Sequence, residues 1–422
     1  MTVHRPPLHH IVRVRGSADL TFLRAGVMDE VVINANQVEN SPDSTATALR
    51  QTTLPFAIDP VLWRFQVPER WVNDKGETKK NYARLGAAYV RGTAIKIADG
   101  PLLKTVPSDA EWGMLARNVI AYQQNRLAMM PAQLDLLDDS HPGELHPVRL
   151  MAPGLVAYSP AEDRINRLLA DASAAAAAAP IAVPVIVPLD RLRDGVELIR
   201  LIGTLPEDGV SSYFIWTPMV TEELLLADHD VFAAVLRLIA CLAERGIPVG
   251  HLHASYSIAA LHDIGVSAVV HHLGWIDKGE PADERRGGLR SCQTYVPGVR
   301  HCLRFDAAHD LGRQLDEPAY TQLYCECAFC SGSFAAGEHP LDVLLEDYLV
   351  PFKDGRNRRT PTGPAVTLNT WHYLLSRRLE IEAFSAEPAV DVVARDVERA
   401  ALLTGGRDIH RLRRLANELR SA

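Results

Sequence analysis

The segment Cys325-Glu-Cys327-Ala-Phe-Cys330 places three thiols within six positions. Thiolates are soft ligands, and Cys-x-Cys-x-x-Cys brings all three into one tight turn, an arrangement suited to a tetrahedral Zn²⁺. A fourth ligand must come from elsewhere in the chain. His339 stands nine residues on, in a Gly-Glu-His-Pro turn. His372 stands in Trp-His-Tyr-Leu-Leu-Ser-Arg-Arg-Leu, which reads as the opening of an amphipathic helix. A helix holds an imidazole more rigidly than a turn does, so His372 is the expected ligand. One zinc held by four protein ligands is structural, because no position is left for a catalytic water.

Four more histidines invite a different chemistry. His251 and His253 form a His-x-His pair, and His271 and His272 lie on the next expected strand. Residues i and i+2 of a strand share a face. His251 and His253 would then project together and, with Asp59, could hold a catalytic metal as barrel hydrolases do. The alternative is a set of pocket-lining or core histidines with satisfied hydrogen bonds. Trp216, Tyr213 and Trp275, near strand ends, could stack on a base, or belong to the core. Arg285, Arg286 and Arg290, with Arg356, Arg358 and Arg359, could meet phosphates, or decorate solvated loops.

The elements that must position these groups read as an alternation. Strands are expected at Glu30–Asn34, Leu54–Ile58, Ala182–Pro188, Ser212–Thr217, Pro248–His253 and Ala268–His272. Helices are expected at Asp109–Met130, Ser159–Ala179, Asp194–Gly203, Val231–Arg245 and Ser257–Ile264. Short apolar runs separated by helical patterns of this length imply βα units and a parallel sheet. Enough of them recur to suggest an α/β fold of the (β/α)8 TIM-barrel kind. In that fold the functional groups gather at the C-terminal ends of the strands. Three parts are expected: a barrel body over 1–310, a metal-binding subdomain and returning helix over 311–385, and a helical tail over 386–422. The tail, Arg407–Arg420, reads as a packed basic helix with Ile409, Leu412, Leu415 and Leu419 near helical spacing.

Composition sets outer limits. The chain has 422 residues, 47% hydrophobic and 23% charged, which is ordinary for a globular protein and excludes a mostly disordered chain. No apolar run approaches the ~20 residues that span a bilayer, and the N-terminus lacks the apolar core of a signal peptide. A cytoplasmic protein without a membrane partner is expected. Basic residues number 44 and acidic residues 52, giving −8, which argues against non-specific coating of nucleic acid but leaves room for a local basic groove. Six cysteines, three of them clustered, suit a metal in a reducing compartment better than a disulfide framework.

Cys325-Glu-Cys327-Ala-Phe-Cys330, approached through Leu315-Asp-Glu-Pro and followed by Leu368-Asn-Thr-Trp-His372-Tyr-Leu-Leu-Ser-Arg-Arg-Leu-Glu, resembles the zinc subdomain of the tRNA-guanine transglycosylases. The gap from Cys330 to His372 is longer than is usual there, and the basic loop Lys353–Pro364 would be the insertion. Leu54-Pro-Phe-Ala-Ile-Asp59-Pro…Arg64-Phe-Gln66 is similar to that family's segment ending Asp-Ser-Gly-Gly-Phe-Gln, without the Ser-Gly-Gly. Val185-Ile-Val-Pro-Leu-Asp190 resembles the strand and turn that receive the base. Ile247-Pro-Val-Gly-His-Leu-His253 and Gly265-Val-Ser-Ala-Val-Val resemble the next two strands. The likeness runs over about residues 54 to 385.

The resemblance implies a barrel with an inserted zinc lobe. It implies replacement of a guanine in a polynucleotide by a 7-deazaguanine such as preQ0. The departures lean toward the branch that acts on DNA rather than tRNA. Such an exchange needs a carboxylate to attack C1′ of the ribose and a second one to handle the proton of the bases, with the target base taken out of its stack. Asp59, followed by Pro60 at a strand end, is the expected acid/base or base-contacting group. Gln66, Asp190, Trp216, His253 and His271 are expected to line the base site. The family's nucleophilic aspartate has no counterpart at its usual place, which here reads Val270-His271-His272. Asp277 is the nearest carboxylate and the first choice, with Asp190 and Glu222 as alternatives. Three functions stay open: the base-exchange enzyme, a degenerate relative that binds nucleic acid or partners an active subunit in a homodimer or heterodimer, and a metal-dependent barrel hydrolase.

Overall fold

Seven short strands rich in β-branched residues pair side by side, all parallel. They are β1 (His9–Val14), β2 (Glu30–Asn34), β3 (Phe56–Asp59), β4 (Ile181–Ile186), β5 (Val210–Trp216), β6 (Val249–Leu252) and β7 (Val266–His272). The structure is a computed structural model that describes residues 6–67, 71–73, 75–95, 107–128, 144–273, 293–346, 350–351, 359–360, 362–407 and 409–421. Strand order is β3-β2-β1-β7-β6-β5-β4, so the first strand lies beside the last, with Ile11 opposite Val270. The result is an α/β protein whose parallel sheet curls through half a barrel.

Both outer strands meet one further segment. Ala57 of β3 bridges to Arg149, and Ala182 of β4 bridges to Met151. The amide of Val148 donates to Phe56 O at 2.9 Å, and Ala152 and Ala182 exchange bonds with Ala182 O and Leu150 O at 2.8 Å. Gln123 fastens this segment from a helix, accepting from Met151 N at 2.9 Å and donating to Met151 O at 2.7 Å.

The concave face is filled by Ile11, Val32, Ala57, Met151, Ala182, Phe214, Leu252, Ala268 and Val270, which form one buried cluster. Gly250 makes room for the Phe214 ring: a Cβ there would lie 2.6 Å from Phe214 Cε1. The convex faces pack on helices, among them Asp109–Asn125, Pro160–Ala176 and His229–Ala243.

Strand limits agree with the sequence patterning to within about two residues. The patterning misses β1 altogether. His9, His10 and Arg13 interrupt its apolar run, yet His10 and Arg13 are buried because the turn before β2 and the ends of β2 and β3 supply partners for them. After β7 come an antiparallel hairpin, β8 (Gln293–Val296) and β9 (His301–Arg304), then the cysteine segment, the 24-residue helix Gly363–Ala386, and the helices Ala389–Thr404 and His410–Ser421. In the last of these Leu412 and Leu415 are buried, as expected of a packed basic helix. No helix among the described residues is long and apolar enough to cross a membrane.

Candidate metal centre and barrel mouth

The three thiols converge because three local conformations meet. Tyr320–Tyr324 winds as a π-turn, Cys325 leaves it extended, and Cys327 caps the helix Ala328–Ala335, so that Cys330 falls in that helix's first turn. His372 arrives from the helix Gly363–Ala386. It sits well inside that helix rather than opening it, because Thr362, ten residues before His372, caps the N-terminus. The imidazole Nδ1 lies 3.8 Å from Cys325 Sγ, 3.4 Å from Cys327 Sγ and 3.4 Å from Cys330 Sγ. A tetrahedral ion with bonds of ~2.1 Å to nitrogen and ~2.3 Å to sulfur sets such N···S distances at about 3.6 Å.

The other ring nitrogen, Nε2, donates to Tyr295 O at 2.9 Å, which fixes the tautomer and aims Nδ1 at the sulfurs. All four side chains are about 1% exposed, so no open position faces solvent. Burial pushes the Cys330 thiol up, while hydrogen bonds with Cys325 and Cys330 pull Cys327 down: thiols competing for one negative charge. A divalent cation ends that competition, because a coordinated thiol is deprotonated outright. The donor set therefore fits a metal ion. His339 is not part of it; its ring packs edge-on against Tyr320 and Phe334. Among the described residues this is the one group of three or more His, Cys, Asp or Glu whose ligand atoms all lie within 4.8 Å of one another.

At the C-terminal ends of the strands a second cluster forms. Arg13, two positions beyond the inward Ile11, donates from Nε to Asn34 Oδ1 at 2.8 Å and pairs through Nη2 with Asp59. Asp59 ends β3 as expected, and its other oxygen accepts from Val61 N at 2.8 Å. His272 Nε2 lies 2.5 Å from His253 Nδ1, and the His253 ring stacks on Trp216 with centroids 5.0 Å apart. Trp216 meets Trp63 edge-on at 4.6 Å, and Arg64 lies over Trp63. His253 has φ +61°, a left-handed conformation that residues with a Cβ adopt at a cost of order 1–3 kcal/mol and mainly at functional sites. Burial, and then charges that include the guanidiniums of Arg13, Arg15 and Arg64, hold His253 and His272 well below the usual imidazole range, so both rings are neutral at pH 7.

Several expectations need correction. β6 stops at Leu252, so His253 is off the strand and the i, i+2 rule fails: His251 lies in register with Ile215 and Val269, residues of the convex-face core, while His253 turns to the mouth. His271 does not face the mouth. Alternation sends it to the convex face, where Arg377 Nη2 lies 2.5 Å and Nε 3.1 Å from its Nε2. Gln66 spends its amide on the backbone, accepting from Val156 N at 2.7 Å and donating to Val156 O at 3.3 Å. Trp216 is buried and already stacked, which leaves no open platform. Tyr213 points outward and donates to Pro206 O at 2.6 Å. Asp190 is exposed in the helix Leu189–Arg193. Glu222 accepts from Ser257 Oγ at 2.7 Å and pairs with Arg411 at 2.8 Å, a structural tie.

Asp277, Trp275, Arg285, Arg286, Arg290, Arg356 and Arg358 lie outside the described residues, and of Arg359 only the backbone is described, in a two-residue strand. Sequence reasoning missed Arg13 and Asn34 as mouth residues; the signal was a buried strand carrying one arginine two positions past an inward isoleucine.

No protein-family model and no curated protein sequence matches this chain. Among solved structures it is similar to xylanase B from Clostridium stercorarium F9, at TM-score 0.32 and 12% identity, over 63% of this chain and 86% of that one. A likeness so slight carries no argument about activity.

Proposed function

We propose that the chain is a zinc-stapled, closed (β/α)8 barrel that exchanges a guanine of a polynucleotide for a 7-deazaguanine. The observation that carries this reading is the Cys325–Cys327–Cys330–His372 centre placed after the last barrel strand, its histidine on a returning helix. Zinc is the metal because Cys₃His with full burial is a structural-zinc donor set. Closure of the barrel rests on the segment 149–151, which touches both sheet edges and stands where an eighth strand belongs.

Asp59 at the mouth supplies the base-contacting carboxylate. In the exchange, a carboxylate oxygen bonds to C1′ as the C1′–N9 bond breaks, and the departing guanine takes the electron pair and a proton. The incoming base then gives up a proton, and its N9 displaces the carboxylate. Asp277 is the carboxylate assigned to the attack. Arg13, Arg15 and Arg64 give the mouth a positive character that suits the phosphodiester flanking the base.

A second reading has its own support. His272 ends the strand where the resemblance places the nucleophile, and Asp59 is held by Arg13. Both features suit a relative that binds nucleic acid without exchanging bases. The third reading, a His-rich metal hydrolase, loses ground, since the guanidiniums around His253 and His272 work against a second cation.

Three measurements separate them: metal content, incorporation of labelled guanine and of preQ0 into tRNA and duplex DNA, and polynucleotide affinity. The enzyme reading expects one zinc per chain, incorporation into one of the two substrates, and a loss of about 10²–10⁴ in rate on Asp59→Asn. Tight polynucleotide binding with no incorporation anywhere would replace it with the binding subunit. Two metals per chain, one lost on His253→Ala, would replace it with the hydrolase.

A further inference from the structure

The helix that carries His372 reaches the barrel a few residues later. Arg377, 1% exposed, points its Nε and Nη2 at His271 of β7, as given above, and its Nη1 donates to Glu380 Oε2 at 2.5 Å. Glu380 is also bonded by Tyr295 Oη and, at 3.0 Å, by Arg300 Nη1. Tyr295 closes the circuit, because its carbonyl accepts from His372 Nε2. The next residue, Arg378, pairs with Asp29 at 2.8 Å, and Asp29 accepts from His10 N of β1 at 2.8 Å. The metal-ligating helix is thus bonded to the first and last strands of the ring.

His271 and His272 are neighbours on one strand, with side chains on opposite faces. A shift of the His271 backbone moves His272, and His272 is one half of the His253–His272 pair. Buried, hydrogen-bonded charge is unforgiving: an unpaired partner costs several kcal/mol. Breaking any one of these bonds alone is therefore costly.

We propose that Arg377 is a positioning residue, which transmits the state of the Cys325–Cys327–Cys330–His372 centre to the barrel mouth by fixing His271 and, through it, the His272–His253 pair. This inference rests on the reading that the cluster holds a metal and that the mouth is the working site. It does not need base exchange to occur. The ion does more than fasten its own lobe; it sets the geometry of two rings across the strand from the helix that binds it.

The test uses the full-length, metal-loaded protein labelled with ¹⁵N in histidine. The proton shared by His253 and His272 is assigned with His253→Gln and His272→Gln, and is followed as EDTA removes the metal. In the parent protein its resonance is expected to shift or vanish as metal leaves, while the circular dichroism of the barrel persists. In His271→Leu the resonance is expected to be displaced already at full metal content, and to ignore EDTA. In His271→Gln, which keeps an acceptor for Arg377, the parent response is expected to return. Should His271→Leu fail to fold, Arg377→Lys, which keeps the charge beside Glu380 but offers a single nitrogen, is expected to behave as His271→Leu would. A parent resonance that ignores metal loss would overturn the proposal. So would a response in His271→Leu, or in Arg377→Lys, equal to that of the parent, since that would mark general loosening rather than this contact. No outcome depends on incorporation of guanine, so failure here is distinct from failure of the transglycosylase reading.

Discussion

At the scale of single residues, this protein buries many ionisable groups, and its histidines show how burial decides their state. His10 and His251 are both pushed down to about 4, burial being the largest cause in each. Both are neutral in the folded protein and charge only on unfolding below their ordinary value of 6.5. Their contribution is complete above pH 6.5 and is lost as pH falls toward 4, by up to about 3 kcal/mol each. His253, His271 and His272 are lowered too and act in the same direction. Urea denaturation at pH 7 and pH 4.5 should therefore show a fall of several kcal/mol at the lower pH. His251→Gln should lessen that fall even where it lowers stability at pH 7. An equal slope in the two proteins would mean that His251 is not held neutral.

At the scale of elements, the Cys325–Cys327–Cys330–His372 cluster depends on how closely three pieces of chain approach. Gly298 lies in the turn Pro297–Val299 between β8 and β9. A Cβ there would stand 2.1 Å from Leu323 O and 2.7 Å from Leu403 Cδ2. Leu323 belongs to the π-turn that delivers Cys325, so the hairpin cannot take a side chain without moving the cysteine segment. Gly298→Ala should cost about 1–3 kcal/mol by overpacking, and it should speed metal loss to a chelator. Gly332, in the helix Ala328–Ala335, has nothing within 4 Å of its would-be Cβ. Gly332→Ala should be neutral or stabilising by up to about 1 kcal/mol, the difference in helix propensity. Thermal denaturation with a metal-release assay on the metal-loaded proteins checks both; equal behaviour of the two variants would refute the close-approach argument.

At the scale of the whole molecule, the question is whether the ring of strands is continuous. An open seven-stranded sheet has two free edges, whose amides exchange early. If segment 149–151 joins those edges, the amides of Ala152 and Ala182, which hold its bonds to β4, should exchange with the global unfolding free energy. The amide of Val148, bonded to Phe56 O, should do the same on the β3 side. Hydrogen exchange followed by mass spectrometry reads both edges at once. Fast exchange at Ala152 and Val148 beside slow exchange in β1 and β7 would show a sheet that stays open.

Spacing alone was enough for the features that depend on nearby residues. Cys-x-Cys-x-x-Cys announced a thiol cluster able to hold a metal, because three thiols so near in sequence cannot lie far apart in space. Strands of β-branched residues separated by helical patterns announced a parallel α/β fold, because local propensity and periodicity act over short stretches of chain. Asp59 was legible as a strand-end carboxylate for the same reason. Tertiary structure decided what depends on partners far along the chain. β1 is a strand although it carries His10 and Arg13, since Asn34 and Asp59 accept from Nε and Nη2 of its arginine. His271 and His272 part company because only the sheet gives a strand two faces. His253 reaches the mouth because the backbone turns left-handed there, a choice that neighbouring residues do not impose. Charge and hydrogen-bond satisfaction in a buried site are properties of a completed environment, and no segment read alone contains that environment.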